Sequence, residues 1–121
     1  MPQGSILVVE DDPDIRDALA TVLESEGYDV MQASHGQEAL GQLRASSSAS
    51  LILLDLHMPV MNGWAFRTEQ LRDPRLAAIP VVVVSADGMM PKRAAELGAA
   101  GYVGKPIDFE RLLALVATHC A

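Results

Sequence analysis

Basic charge is scarce in this chain. Nine Lys and Arg stand against 16 Asp and Glu, a formal net charge of −7 over 121 residues. A protein that binds nucleic acid or an anionic membrane needs a basic stripe to neutralise phosphates, and none is present. Cysteine is nearly absent: the lone Cys120 cannot form an internal disulfide, which suits a reducing compartment. Met1 to Ser5 leads directly into an apolar run, without the basic start and long apolar core of a secretory signal. No apolar stretch approaches the roughly 20 residues of a membrane span. The expectation is a soluble, cytoplasmic protein made of one compact domain over residues 1–121, with no second, output domain.

What is present is alternation. About five aliphatic runs alternate with about five helical patterns, which predicts a parallel sheet covered on both faces. The strands are expected at Ser5 to Glu10, Tyr28 to Gln32, Leu51 to Asp55, Ile79 to Ser85 and Gly101 to Gly104. Asp12 and Pro13 read as N-cap and first residue of a helix burying Ile15, Ala18, Leu19, Val22 and Leu23, closed by Gly27. Ser34 with Gln37 reads as a capping box before a helix burying Ala39, Leu40 and Leu43. The serine-rich Ala45 to Ser50 reads as a surface loop. Asn62-Gly63 precedes a helix from about Trp64 to Arg72. Pro91 opens a short helix ended by Gly98, and Asp108 caps a last helix burying Leu112, Leu113 and Val116.

Two acidic sites follow the most aliphatic runs. Ile6-Leu7-Val8-Val9 leads into Glu10-Asp11-Asp12, and Leu51-Ile52-Leu53-Leu54 into Asp55. Buried parallel strands would deliver these carboxylates to one sheet edge, where α/β proteins place their ligand crevice. Crowded like charges raise each other's pKa, so folding alone gives no reason to gather them. A hard divalent cation such as Mg²⁺, with Mn²⁺ able to substitute, would relieve that cost. An ionised carboxylate can also attack phosphorus and form an acyl phosphate. Ser85 after the fourth strand supplies a hydroxyl, and Lys105 after the fifth a point positive charge. Asp12 reads as a helix cap rather than a ligand.

The chain resembles the receiver domain of two-component response regulators, the family of the single-domain chemotaxis response regulator. The segments that carry the likeness are Ile6 to Asp12, Leu53-Leu54-Asp55-Leu56-His57-Met58-Pro59, Met61-Asn62-Gly63, Pro80 to Ala86 and Gly101-Tyr102-Val103-Gly104-Lys105-Pro106. The resemblance implies a flavodoxin-like doubly wound five-stranded sheet of order 2-1-3-4-5. It implies that Asp55 takes a phosphoryl group from a histidine kinase or histidine phosphotransfer protein. It places Mg²⁺ on Asp11, Asp55 and the backbone carbonyl of His57, with Glu10 helping. Lys105 would contact the phosphoryl group after a cis bond to Pro106, Ser85 would swing towards it, and Tyr102 would turn inward. A downstream protein target would then read the Tyr102 and last-helix face.

Several positions depart from the family pattern. Glu10 replaces the commoner aspartate, and Ser85 stands where some members carry threonine. The segment from Ser85 to Lys105 is short, so a stunted helix is expected there. By the resemblance His57 and Asp87 sit where side chains of the family flank the phosphoryl group, and they are candidates for tuning its hydrolysis. An aspartyl-phosphate hydrolase of the haloacid dehalogenase type would need a second aspartate where His57 stands. A nucleotide or flavin binder would want glycines or hydroxyls where Glu10-Asp11-Asp12 would repel phosphate. A pseudo-receiver acting only as an interaction module is the remaining alternative to a switch that catalyses only its own phosphorylation and dephosphorylation.

Overall fold

The computed structural model of the chain describes residues 4–46, 49–86, 88 and 90–120. The elements run β1 (Ser5–Val9), α1 (Pro13–Ser25), β2 (Asp29–Ala33), α2 (Gly36–Ser46), β3 (Leu51–Leu54), α3 (Gly63–Arg72), β4 (Val81–Ser85), α4 (Met90–Leu97), β5 (Gly101–Gly104) and α5 (Phe109–Cys120). All strand pairs are parallel, in the order β2-β1-β3-β4-β5. This is the flavodoxin-like doubly wound sheet.

Side chains alternate across the sheet, and both faces are covered. Ile6, Val8, Leu51, Leu53, Val82 and Val84 pack on one face with Leu19 and Leu23 of α1 and Leu112 and Val116 of α5. Leu7, Val9, Ile52, Leu54, Val81 and Val83 pack on the other with Leu40 and Leu43 of α2, Phe66 of α3 and Leu97 of α4. Because β1, β3 and β4 are buried on both faces, they read as unbroken aliphatic runs in the sequence. From β1 the chain moves to β2 on one side, and β3 pairs on the other. The crevice of the fold therefore opens between the ends of β1 and β3.

Helix ends follow their local chemistry. The Asp12 carboxylate accepts from the Asp14 and Ile15 amides at 2.9 and 3.4 Å. Gly27 and Gly98 carry the positive φ values, 94° and 65°, of left-handed helix ends. The short α4 has eight residues, and the Lys105–Pro106 peptide is cis.

Some local expectations are corrected. The Ser34 amide and hydroxyl bond Glu38 rather than Gln37, and the Glu38 amide donates to His35 Nδ1. The reason is tertiary: the Gly36 amide donates to Met61 O, which starts α2 later than a capping box would require. Ala18 is exposed beside a surface groove, and Val22 and Leu113 are only half-buried. Helix α2 continues through Ala45 to Ser46, shortening the serine loop. Strand β4 begins at Val81, since Pro80 has no N–H to give the ladder.

Candidate functional site

The ends of β1, β3, β4 and β5 bring Glu10 and Asp11, Asp55, Ser85 and Lys105 to the same sheet edge. Beyond β1, the Glu10 amide donates to Ala33 O at 3.0 Å, and Arg16 Nη1 donates to Glu10 O at 2.9 Å. The Asp55 amide donates to Val9 O at 3.0 Å, which ties the acceptor strand to β1. Carboxylate oxygens of Glu10, Asp11 and Asp55 all lie within 4.8 Å of one another. Glu10 and Asp55 are buried, at 1% and 4% exposure, whereas Asp11 faces solvent. The His57 amide donates to Asp55 Oδ1 at 3.4 Å.

Lys105 enters from the end of β5, its amide bonded to Ser85 O at 3.0 Å. Its ammonium lies 2.6 Å from Glu10 Oε1 and 3.6 Å from Asp55 Oδ2. Burial pushes Glu10 up from 4.5 to about 7; the Lys105 contact opposes that shift and the Asp55 carboxylate adds to it. Burial acts against the Lys105 charge, but Glu10 and Asp55 outweigh it and hold the ammonium above its usual pKa. Glu10 Oε1 is enclosed, with the Lys105 ammonium against it. Three clustered carboxylates, two of them buried, fit a hard oxygen-seeking cation such as Mg²⁺.

Ser85 is buried at the end of β4, opposite Gly104 and next to Lys105 in the sheet. Tyr102 is half-buried on β5 and packs against the core on the α2, α3 and α4 face of the sheet. The Arg111 guanidinium stacks 5.2 Å from its ring and donates twice to its carbonyl, at 3.2 and 3.3 Å. The exposed His57 ring meets Trp64 edge to face at 5.4 Å. Asp87 lies outside the described residues. Trp64, Arg16 and the groove wall were not singled out from the sequence, because each acts through a contact that only the fold creates. That groove, of about 300 Å³, is lined by Asp14, Ile15, Ala18, Lys105, Pro106, Ile107 and Phe109 and borders the site through Lys105.

The loop after β3 carries strain. Val60 has φ 67° and is 78% exposed, within a turn closed by the Met61 amide on Pro59 O at 2.7 Å. A β-branched residue pays for left-handed backbone, and glycine does not. Val60→Gly is therefore expected to raise stability by up to about 1 kcal/mol after the entropy of glycine is set against the relieved strain. A urea melt would register this as a higher midpoint at constant slope.

A doubly wound sheet with acids after β1 and β3, a hydroxyl after β4 and a lysine after β5 defines a receiver-type module. The family described as response regulator receiver domain matches residues 6–117. The chain is 38% identical over 113 residues to the DNA-binding dual master transcriptional regulator RpaA of Synechocystis sp., covering 92% of this chain and 46% of that one. It is 33% identical over 113 residues to protein PilH of Pseudomonas aeruginosa, covering 89% and 90%. It thus spans about half the length of regulators such as RpaA. A response regulator receiver protein from Pseudomonas putida superposes with TM-score 0.88 at 30% identity, covering 98% of both chains. The chemotaxis protein CheY4 of Vibrio cholerae superposes with TM-score 0.87 at 26% identity, covering 96% of this chain and 98% of that one. The chain belongs to the response regulator receiver family of two-component signalling, whose members work as switches. No described helix is long and apolar enough to cross a membrane.

Proposed function

We propose that Asp55 accepts a phosphoryl group from a phosphohistidine on a histidine kinase or phosphotransfer protein. One observation carries this reading: a buried carboxylate at the end of β3 lies among two further acids, with the Lys105 ammonium 3.6 Å away. An Asp55 oxygen attacks phosphorus, the P–N bond to the donor imidazole breaks, and its electron pair returns to that ring nitrogen. The product is an acyl phosphate on Asp55. Glu10, Asp11, Asp55 and the His57 backbone carbonyl would hold Mg²⁺, which when bound neutralises charge on the phosphoryl oxygens.

Lys105 gives the transferring group a positive charge, and the Ser85 hydroxyl donates to one of its oxygens. The apolar groove beside Lys105 is where the donor's side chains would seat while its phosphohistidine reaches Asp55. Movement of Tyr102 away from Arg111 would then alter the face formed by α4, β5 and α5, read by a downstream protein. By the family resemblance His57, and Asp87 outside the described residues, are the candidates for setting the lifetime of the acyl phosphate.

Intact mass after incubation with Mg²⁺ and acetyl phosphate tests the reading. The expected result is one added phosphoryl mass, lost with EDTA and absent from Asp55→Ala. Addition that persists in the variant would move the acceptor elsewhere. No addition, with acetyl phosphate or with a phosphohistidine donor, would favour a pseudo-receiver.

A further inference from the structure

Arg67 of α3 is a nine-tenths buried guanidinium whose three bonds all go to neutral acceptors. Its Nε donates to the carbonyl of Leu97, the last residue of α4, at 2.9 Å and its Nη2 to that of Gly98, the next residue, at 3.2 Å. Its Nη1 donates to Gln70 Oε1 at 2.8 Å, and burial lowers its pKa. Gln70, also fully buried, passes its own amide to Leu76 O and Ile79 O at 2.9 and 3.0 Å. Those carbonyls belong to the turn that delivers β4. A buried charge without a carboxylate is a poor way to gain stability, since a well-packed apolar residue usually does as well. The planar fork does something an apolar residue cannot: it grips two successive carbonyls at the negative end of a helix.

Helix α4 has little else to hold it. Among its described side chains only Ala94 and Leu97 are buried. Its C-terminal turn is closed by the Gly98 amide on Ala95 O and the Ala99 amide on Ala94 O, after which the Ala100 amide joins Val81 O. Arg67 and Gln70 therefore bracket both lower flanks of the β4–α4 unit, the entry to β4 and the exit of α4. The opposite end of that unit carries Ser85 at the candidate site. Towards that end the half-buried Arg93 guanidinium of α4 lies 5.9 Å from the half-buried Trp64 ring of α3.

We propose that the buried Arg67–Gln70 pair is a pivot. It fixes the foot of the β4–α4 unit on α3, so that rearrangement driven at Asp55 is confined to the Ser85 end. Arg67 is a positioning residue here and touches no reacting atom. The confinement rests on Asp55 being the phosphoacceptor; the fixed foot does not.

Site-resolved amide exchange on the whole chain tests both halves. Without ligand, Arg67→Met should speed exchange at the Gly98, Ala99 and Ala100 amides about tenfold, leaving α1 and α5 unchanged. Arg67→Lys, which keeps the charge but not the fork, should recover part of the protection. With Mg²⁺ and beryllofluoride as a mimic of the acyl phosphate, the native chain should respond at the Ser85 end and not at those three amides. In Arg67→Met the response should spread to them. Foot amides that exchange as slowly in Arg67→Met as in the native chain would overturn the pivot. So would a foot that responds to beryllofluoride while Arg67 is intact. If Arg67→Met fails to fold, Gln70→Met must speed exchange at the Leu76 and Ile79 amides, and unchanged rates there overturn the bracket. Failure of beryllofluoride to alter Trp64 emission would sink the Asp55 reading instead, leaving the ligand-free comparison to decide the fixed foot.

Discussion

Gly63→Ala is expected to cost about 3 kcal/mol or more and to abolish the proposed Mg²⁺-dependent phosphorylation of Asp55. A Cβ at Gly63 would sit 2.8 Å from Asp55 O, Leu56 Cα and Leu56 Cδ2. Two of those atoms are backbone, so no rotamer change relieves the clash. The Gly63 amide also donates to Leu56 O at 2.9 Å, and the Asn62 side chain caps the helix on the Ala65 amide at 2.9 Å. The first turn of α3 is thus pressed against the segment that presents the candidate acceptor. Making room means pushing α3 outward or dragging Asp55 away from Glu10 and Asp11. The loss should appear as a lower urea midpoint together with a missing phosphoryl adduct. Gly41 is the control, because a Cβ there meets nothing within 4 Å. Gly41→Ala in the exposed face of α2 should stabilise by about 0.5–1 kcal/mol through helix propensity. If Gly63→Ala loses less than about 1 kcal/mol, the close approach is softer than its geometry.

The same close packing explains what the sequence disclosed and what it hid. Strands β1, β3 and β4 were legible because burial on both faces demands aliphatic residues at every position. The ends of α1 and α4 were legible because Asp12, Pro13, Gly27 and Gly98 act through their own backbone neighbourhood. Glu10, Asp11, Asp55 and Lys105 could be placed together because strand ends in a parallel sheet share one edge. The extent of helix α3 was legible from Asn62-Gly63, but its buried face was not: the polar Arg67 and Gln70 are buried, and Leu71 is 51% exposed. Their burial depends on carbonyls at Leu76, Ile79, Leu97 and Gly98 that no local pattern brings near. Ser34 likewise found Glu38 because the distant Met61 carbonyl set where α2 begins. Tyr102 was identified as a residue, but its Arg111 partner follows from the packing of α5 against β5.

In metal-free buffer the protein is expected to lose stability as pH rises from about 4.5 to about 7, because of Glu10. Below the lower value the carboxyl is protonated in both folded and unfolded chains, and it contributes no pH dependence. Between the two values the unfolded chain releases a proton that the folded chain retains, so the folded state binds more protons and stability falls with pH. A shift of that size corresponds to up to about 3 kcal/mol across the window. Lys105, whose pKa is raised, contributes stability that disappears only well above this range and does not alter the sign. A cation held by Glu10, Asp11 and Asp55 requires the ionised carboxylate, so Mg²⁺ should stabilise little at the acid end and most at or above about 7. Urea midpoints at about pH 5 and about pH 8, with EDTA or with Mg²⁺, would test both limbs. Glu10→Gln keeps the shape but cannot ionise, and should flatten the metal-free decline. A decline that survives in Glu10→Gln would assign the burden to another group, and Mg²⁺ stabilisation independent of pH would mean that Glu10 takes no part in holding the cation.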